Sequence, residues 1–413
     1  MGKITDVAEQ LWDGRVSTET QHPFAAMHEL EELDAGFAFV SSFANVAAFD
    51  TADGLVLADT GSFFFTRDVR DRLRRWSARP LHTAVWTHGH VDHVFGVPLY
   101  EEEAASHGWP APRVVAHEGV PVRFDRYRMT AGLNRAINAR QFRNAALAWP
   151  ATDRYPDTTY RDRLDLDVGG RRFELHHGRG ETDDHTWLWV PDRRILCTGD
   201  LFIWATPNAG NPQKVQRYPL DWAHALRAMT ALGAELLCPG HGYPIRGAGR
   251  VRQALEETAE LLESIHQQTL ALMNDGASLD DVLHAVRAPA HLLDRPYLKP
   301  VYDEPEFIVR NVWRLYGGWY DGNPAHLKPA PEAALAAELA ALAGGAGRLA
   351  ERAQAVADSG DLRLACHLAE LAARAAPTDA AVAAVRRDVY GRRARTETSL
   401  MARSIYLAAA ADS

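Results

Sequence analysis

The sequence has few of the features that mark a secreted, disulfide-stabilised protein. Only three of its 413 residues are cysteines, at positions Cys197, Cys238 and Cys366. Three widely spaced cysteines are too few for a disulfide framework or for a thiolate zinc site. If the chain binds a metal, nitrogen and oxygen ligands must therefore hold it.

Long apolar runs and an excess of positive charge are also missing. No stretch approaches ~18 uninterrupted apolar residues, the length that a membrane-spanning helix needs. The first residues, Met1 to Asp6, include an early acidic residue and are not followed by the apolar core of a secretory signal. The formal net charge is −9 at pH 7, whereas nucleic-acid binding needs a positive surface. We expect a cytoplasmic protein with no membrane span and no nucleic-acid partner.

The composition is that of a globular protein, and the pattern of the chain changes near Gly247. Hydrophobic residues make up 46% of the sequence and charged residues 24%. Before Gly247, short apolar runs alternate with polar turns and helical patterns, as in a layered α/β domain. Phe37 to Asp50 and Gly54 to Asp59, for example, are predicted to be paired strands. We predict a catalytic domain over residues 1–247.

The rest of the chain, residues 248–413, is rich in alanine, leucine and glutamate with helical periodicity. Ser278 is followed by Asp280 and Asp281, which is typical of a capped helix start. Four further helices are predicted over residues 333–343, 346–359, 362–375 and 378–390, in a pattern that resembles a tetratricopeptide-like hairpin. We predict an all-α second domain.

Four residues of the metal-ligand type stand together directly after the apolar segment Thr83 to Trp86: His88, His90, Asp92 and His93. A loop that leaves a strand lets such side chains converge on one point. Gly89 allows the turn that brings His88 and His90 to one metal, and Asp92 and His93 can then reach a second. Imidazole and carboxylate together suit zinc, and two neighbouring zinc ions can share a water-derived hydroxide. The spacing predicts two zinc ions per chain.

Later residues of the same chemical type follow predicted strands or lie in glycine-rich turns. They are Glu181, Asp200 and His241. Asp59 also ends a predicted strand, and we expect it to orient a ligating histidine, as carboxylates commonly do. Together these residues predict one edge of a sheet at which a metal site is assembled.

The sequence resembles the metallo-β-lactamase superfamily in three motifs: His88-x-His90-x-Asp92-His93, Thr198-Gly199-Asp200 and Pro239-Gly240-His241-Gly242. The resemblance implies an αββα sandwich with the metals at one edge. It also implies that His88 and His90 bind the first metal and that Asp200 bridges to the second. The ligands of the second metal would be Asp92, His93 and His241, and Asp92 is also expected to take part in catalysis.

One departure from the superfamily concerns the first metal. Where a third histidine usually stands in a Gly-His-Thr turn, this chain has Gly180-Glu181-Thr182. A glutamate there is similar to the alkyl sulfatase branch, in which a carboxylate also binds the first metal. The alternative is that His185 supplies the missing ligand. We favour Glu181, and we expect His185 to face the substrate as a catalytic residue that assists the leaving group.

The second half of the chain resembles the dimerisation domain of alkyl sulfatases, through residues 265–276 and 316–325 and the terminal helices. The segment Tyr316 to Pro324 contains Trp319 and Tyr320, which are large apolar side chains. Such side chains are expected at an interface between domains or subunits. We therefore predict a homodimer.

Substrate binding is predicted from polar and cationic residues in two segments. The first follows Asp200 and the second lies in residues 131–140; the candidates are Asn208, Asn211, Lys214, Arg217, Asn134 and Arg140. The match to alkyl sulfatases is imperfect, since those enzymes have a glutamate at the position of Asp200. A surface salt bridge or a turn explains any single one of these residues equally well.

Three functions remain open from the sequence. The first is a zinc-dependent sulfuric-ester hydrolase that acts on an alkyl sulfate, a small anionic ester, through a metal-bridging hydroxide. The second is a hydrolase of another bond on the same site, such as a lactone, a thioester or a β-lactam. The third is a metal-stabilised scaffold without catalytic activity, which binds partners through its helical hairpin.

Overall fold

The computed structural model describes residues 2–144, 146 and 150–412. Within them, two β-sheets and their flanking helices form the first part of the chain. The first sheet has strand order β1-β2-β3-β4-β5-β6-β7, with β1 (Glu29–Asp34), β2 (Phe37–Ser41), β3 (Val46–Thr51), β4 (Gly54–Ala58), β5 (Leu81–Val85), β6 (Arg113–His117) and β7 (Thr158–Tyr160). The second has order β13-β12-β11-β10-β9-β8, with β8 (Arg163–Val168), β9 (Arg171–His177), β10 (Thr186–Val190), β11 (Ile195–Ile203), β12 (Leu236–His241) and β13 (Ile245–Arg246).

The helices of this first part precede, connect or follow the strands. They are α1 (Lys3–Trp12), α2 (Thr66–Trp76), α3 (Val97–His107), α4 (Gly119–Met129), α5 (Ala131–Gln141) and α6 (Pro219–Thr230). Strands β4, β5 and β6 run parallel to one another, and α2 and α3 provide the crossovers between them. The carboxyl ends of parallel strands meet at one edge, which is where binding sites form in such sheets.

Alternating side chains on β4 divide the core into two layers. Val56 and Ala58 belong to the large core between the sheets, together with Phe173 of β9. Leu55 and Leu57 point to the opposite face and pack against helices α2, α3 and α4. Because strand side chains alternate with a period of two, each inner strand is buried on both faces. Helices α6 and α7 (Ala248–Asn274) cover the outer face of the second sheet. The predicted αββα sandwich is confirmed.

The segment Phe37 to Asp50, predicted as one strand, is two strands. Strands β2 and β3 pair antiparallel with each other, and β3 pairs with β4 as expected. The chain reverses at Ser42 to Asn45. The Asn45 side chain donates hydrogen bonds to the carbonyls of Pro239 and Gly242 at 3.1 and 3.0 Å. This turn is stabilised by hydrogen bonds to a loop far along the chain. Such a turn has no local sequence signal, so the apolar pattern of residues 37–50 predicted a single strand.

The second part of the chain is helical, as predicted. After α7 come α8 (Leu279–Ala285), α9 (Ala290–Leu293), α10 (Pro305–Gly317), α11 (Glu332–Ala343), α12 (Ala346–Asp358), α13 (Leu362–Ala375), α14 (Ala380–Thr396) and α15 (Leu400–Ala411). Ser278 caps α8 in a reciprocal capping box with Asp281. Helix α7 starts directly after Gly247, and we retain Gly247 as the proposed domain boundary. Buried side chains of α7 and α10 nevertheless continue the core of the sandwich.

None of the described helices is by itself long and apolar enough to cross a membrane. Helices α11 and α12 meet the length and composition criteria only as a pair, and the chain bends by 84° between them.

Candidate metal centre

The predicted ligands converge at the edge of the sandwich where β5, β11 and β12 end or turn. The loop after β5 carries His88 to His93, β11 carries Asp200, and His241 is the last residue of β12. Glu181 lies in the turn between β9 and β10. Their ligand atoms form two groups, within each of which all atoms lie within 4.8 Å of one another. The structure therefore brings the residues of both groups together at one edge.

The first group contains His88, His90, Glu181 and Asp200. Nε2 of His88 lies 2.7 Å from Nδ1 of His90 and 3.8 Å from Oδ2 of Asp200. Burial lowers the pKa of both histidines well below the ordinary value. Neutral imidazoles present a lone pair to a metal, so this protonation state is the one that ligation requires. Glu181 lies in this group with the two histidines, whereas His185 does not.

The second group contains Asp92, His93 and His241. Oδ2 of Asp92 lies 3.7 Å from Nε2 of His93 and 3.4 Å from Nε2 of His241. Asp200 approaches the same two histidines, with Oδ1 3.5 Å from His93 and Oδ2 3.3 Å from His241. Asp200 therefore lies between the two groups, in the place expected of a bridging carboxylate.

Residues behind the ligands fix their orientation. Oδ2 of Asp59 lies 2.7 Å from Nδ1 of His93, and Asp59 also accepts hydrogen bonds from the backbone N–H and the hydroxyl of Thr87 at 2.7 and 2.8 Å. Nδ1 of His241 lies 2.5 Å from the carbonyl oxygen of Phe43. In both histidines these contacts engage Nδ1 and leave Nε2 to face the other ligands. This is the arrangement by which outer carboxylates and carbonyls orient metal-binding histidines.

The donor set and its charge fit divalent cations. Nε2 of His93 and Oδ1 of Asp200 are buried and have no hydrogen-bond partner among the described residues. Burial opposes protonation of His93, yet the carboxylates of Asp200, Asp59 and Asp92 raise its pKa well above the ordinary value. Burial raises the pKa of Glu181 to about 8 against the opposing effect of Arg217. The cluster thus has an excess of buried negative charge that metal cations would neutralise.

The structure does not place His185 where a substrate-facing acid would be. Its ring is buried and stacks on His88 with 4.6 Å between ring centroids, and its Nε2 accepts a hydrogen bond from the backbone N–H of Asp200 at 3.1 Å. Burial lowers the pKa of His185 to about 3. The ring lies outside both ligand groups, so it supports His88 and Asp200 from behind.

Four of the six predicted substrate residues line a small cavity over the ligands. These are Asn208, Asn211, Lys214 and Arg217. Asn208 donates a hydrogen bond to Glu181, and Arg217 forms an ion pair with the same carboxylate at 2.9 Å. Nζ of Lys214 donates to Oδ1 of Asn138 at 3.2 Å. Burial, reinforced by Arg217, lowers the pKa of Lys214 to about 8.

Asn134 and Arg140, the other two, are not brought to the cavity. Asn134 donates to the hydroxyl of Thr130 one turn earlier, at 3.0 Å. Arg140 is exposed and donates to the side chain of Gln213 at 2.7 Å. On α5 the inward-facing positions are instead Asn138 and Gln141, which do line the cavity. Because α5 has only weak hydrophobic periodicity, the sequence did not indicate which of its faces would turn inward.

Residues of the helical part complete the site, and no local sequence pattern indicates them. Tyr302 lines the cavity, and its hydroxyl lies 2.9 Å from the donating side chain of Gln141. Oδ2 of Asp303 accepts the backbone N–H of Gly210 at 2.6 Å. The side-chain amide of Asn311 donates to the carbonyl of Arg217 at 2.9 Å. The segment with the four polar cavity residues is thus held by side chains from the second half of the chain.

A second, apolar cavity of about 320 Å³ adjoins the first. Its walls are mainly phenylalanine rings, namely Phe43, Phe63, Phe64, Phe65 and Phe142. The two cavities share Phe43, Asp92 and Phe142. An apolar compartment therefore meets a compartment of metal ligands, amides and cations at Asp92.

Both parts of the chain are similar to known proteins. Residues 41–241 match the family model of the metallo-beta-lactamase superfamily, and residues 278–413 match that of alkyl sulfatase dimerisation. A linear primary-alkylsulfatase from Pseudomonas sp. (strain ATCC 19151) is 30% identical over 347 residues, which are 79% of this chain and 65% of that protein. An (R)-specific secondary-alkylsulfatase from Pseudomonas sp. is 24% identical over 89% of this chain and 59% of that protein.

The fold is shared with a solved structure, that of the stereoselective inverting sec-alkylsulfatase Pisa1 from Pseudomonas sp. The two align with a TM-score of 0.81 and 23% identity, over 92% of this chain and 64% of that one. The chain thus spans about two thirds or less of the length of these relatives. Both the sandwich and the helical part are included in the match. By these family-model matches, residues 41–241 belong to the metallo-beta-lactamase superfamily and residues 278–413 to the alkyl sulfatase dimerisation family.

Proposed function

We propose that this protein is a sulfuric-ester hydrolase that removes sulfate from an alkyl sulfate. The observation that carries the proposal is the junction of the two cavities at Asp92. One side offers metal ligands, amide donors and the cations Lys214 and Arg217; the other offers phenylalanine rings. An alkyl sulfate has the same division, since a compact anion is joined to an apolar chain. Relatives of this chain are named as alkylsulfatases, which supports hydrolysis of a sulfate ester over the other hydrolase reactions.

We further propose that the metals are two zinc ions per chain. His88, His90 and Glu181 would hold one, Asp92, His93 and His241 the other, and Asp200 would contact both. Imidazole and carboxylate donors without thiolate suit zinc at such sites. When bound, the pair would supply Lewis-acid polarisation of the ester and a lowered pKa for a nearby water.

The polar cavity residues would bind and orient the sulfate group. The side-chain amide nitrogen of Asn211 is buried and has no hydrogen-bond partner among the described residues, so it has a donor left for a sulfate oxygen. Lys214 adds a positive charge in a site where burial strengthens each electrostatic contact. Arg217 is engaged by Glu181 and would act chiefly by holding that carboxylate in place.

The same residues would stabilise the departing sulfate. Hydrogen sulfate is a strong acid in water, so a sulfate that leaves an alkyl carbon needs neutralisation of its charge more than it needs a proton. Lys214 and the amide of Asn211 supply that stabilisation at the point where negative charge develops. This proposal replaces the role in leaving-group departure that the sequence suggested for His185.

We propose that the protein acts as a homodimer. Trp319 is 71% exposed in the single chain, and Tyr316 and Tyr320 beside it are exposed as well. Three large aromatic side chains in one short segment form a surface that monomeric proteins rarely leave open. The segment lies inside the matched dimerisation region.

A substrate panel tests the proposed reaction. Zinc-loaded protein is incubated separately with octyl sulfate, an aliphatic lactone, a thioester and a chromogenic cephalosporin, and sulfate is measured by ion chromatography. Turnover of the other three compounds is followed by loss of the intact compound in liquid chromatography. We expect turnover of octyl sulfate alone, with a loss of at least ~100-fold in His90→Ala. The matched control is His284→Ala, which changes an exposed histidine of α8. Turnover of the lactone or cephalosporin without sulfate release would contradict the proposal.

A further inference from the structure

Helices α4 and α5 and the residues that follow them carry a cationic and partly apolar surface. Residues 119–144 contain six arginines and a single acidic residue, Asp125, although the whole chain has a net charge of −9. The three most exposed apolar side chains of this segment are Val122, Met129 and Leu133, at 68%, 80% and 60% exposure. We define the α4–α5 surface by these three residues together with Arg126, Arg135 and Arg143.

The arginines of this surface differ from the other arginines of the same helices. Arg123 and Arg128 form ion pairs with aspartates, and Arg140 donates to Gln213. Arg126, Arg135 and Arg143, in contrast, have no carboxylate within 4.0 Å among the residues that the structure describes. Their charge is therefore not cancelled by an ion pair. Arg135 and Arg143 are exposed and Arg126 is half-buried, on the same two helices and the residues after them that carry the exposed apolar side chains. Helices with both cationic and exposed apolar side chains are typical of proteins that bind to the surface of an aggregate of anionic amphiphiles.

The surface is continuous with the proposed active site. The inward faces of the same helices carry Tyr127, Asn138 and Gln141, which line the polar cavity, and Phe142 follows directly and lines both cavities. A body that rests on the outward face of α4 and α5 would thus contact the same helices that line the cavity.

We propose that the α4–α5 surface docks the enzyme on micelles of anionic amphiphile, the aggregated form of its own substrate. The three arginines would face sulfate headgroups, and Met129 and Leu133 would enter the apolar layer beneath them. The choice of partner rests on the proposed function, because an alkyl sulfate both fits the cavity and forms such aggregates. Docking would deliver the substrate from the aggregate directly to the cavity mouth.

Binding to a substrate-like surface that cannot be hydrolysed tests the proposal. Mixed micelles of dodecyl maltoside and dodecanesulfonate present an anionic headgroup without a sulfate ester, and binding of the zinc-loaded 413-residue chain is measured by microscale thermophoresis. The charge variant combines Arg126→Gln, Arg135→Gln and Arg143→Gln, and the apolar variant combines Met129→Ser and Leu133→Ser. The matched controls are Arg75→Gln, Arg310→Gln and Arg352→Gln together, and Leu342→Ser, all at exposed positions elsewhere.

We expect micelle binding to weaken by ~100-fold in the charge variant and by ~10-fold or more in the apolar variant, with little change in the controls. Turnover of hexyl sulfate at concentrations below micelle formation should stay the same in every variant. Equal weakening in variants and controls would overturn the proposal. A change in oligomeric state without a change in micelle binding, or tighter binding to phosphatidylglycerol vesicles than to the micelles, would also overturn it.

The two proposals fail in different ways. If the protein hydrolyses no alkyl sulfate but the charge variant still loses micelle binding, the docking surface stands and the proposed function fails. If hexyl sulfate is hydrolysed while all variants bind micelles equally, the function stands and the docking surface fails.

Discussion

Glu181 and Arg217 form a buried ion pair, with Oε1 of the glutamate 2.9 Å from Nη1 of the arginine. Both side chains are almost fully buried, and Arg217 also donates to the backbone carbonyl of Glu181. The arginine thus holds both the carboxylate and the backbone of a residue that belongs to the first ligand group. Arg217 therefore holds in place the carboxylate that distinguishes this site from an all-histidine site.

Replacement of that carboxylate should remove one metal. In Glu181→Gln we expect the zinc content to fall from two ions per chain to one, with loss of sulfate release, because the amide supplies no negative charge to offset Arg217. Zinc content after gel filtration, measured by inductively coupled plasma mass spectrometry, checks this. Glu235→Gln, at an exposed site, is the control. Two ions retained in Glu181→Gln would show that the glutamate is not a ligand.

Protonation of Lys214 should govern substrate affinity in the alkaline range. Burial lowers the pKa of its ammonium group to about 8, so the positive charge is present below about pH 8 and is lost as the pH rises through that value. KM for an anionic substrate should therefore rise above about pH 8. Lys214→Gln should raise KM by ~10-fold or more at lower pH, as expected for a lost hydrogen bond to a charged group.

The conservative variant separates charge from shape at this position. Lys214→Arg keeps its charge throughout the accessible range, so KM should no longer rise above pH 8. A pH profile of KM that is identical in the wild type and in Lys214→Arg would contradict the assignment.

Asp303 should act as a positioning residue for the polar cavity segment. Its carboxylate accepts the backbone N–H of Gly210 at 2.6 Å, next to Asn211. In Asp303→Ala that buried N–H loses its hydrogen-bond acceptor, which lowers the free energy of unfolding by about 1–3 kcal/mol. We expect KM for octyl sulfate to rise several-fold while the zinc content stays at two. Asp294→Ala, at an exposed position, is the control, and an unchanged KM in Asp303→Ala would refute the role.

The aromatic segment with Tyr316, Trp319 and Tyr320 should form the dimer interface. Trp319→Ser is expected to raise the dissociation constant of the dimer by ~30-fold or more, which is typical of an exposed tryptophan at the centre of an interface. Sedimentation velocity over a dilution series measures the change. Val122→Ser, which removes a similarly exposed apolar side chain from α4, should leave the constant unaltered. A monomer at all concentrations in the wild type would rule out the proposed homodimer.

The candidate metal ligands, and their convergence at one edge, could be predicted from the sequence because each residue has a local signal. His88 to His93 are contiguous, and Asp200 and His241 stand in glycine-containing motifs on strands that reach the same edge. Glu181 was found because it occupies a turn position that another ligand normally holds. His185 has the same chemical type, but its orientation depends on packing against His88, which no sequence spacing reveals.

Apart from the four polar residues after Asp200, the walls of the cavities could not be predicted, because they come from distant parts of the chain. Tyr302 reaches the cavity only when the helical part packs against the sandwich, and Asn311 meets Arg217 across 94 positions of sequence. The turn at Asn45 depends on carbonyls nearly 200 residues later. Long-range contacts of this kind are set by tertiary packing, so local propensity carries no information about them.

Titration of metal-free protein with zinc, with sulfate release from octyl sulfate as the readout, tests the central claim most directly. Sulfate release should appear as zinc is added and reach its plateau at two equivalents per chain, while Glu181→Gln stays inactive throughout. A wild-type sample that holds two zinc ions and releases no sulfate would contradict the account.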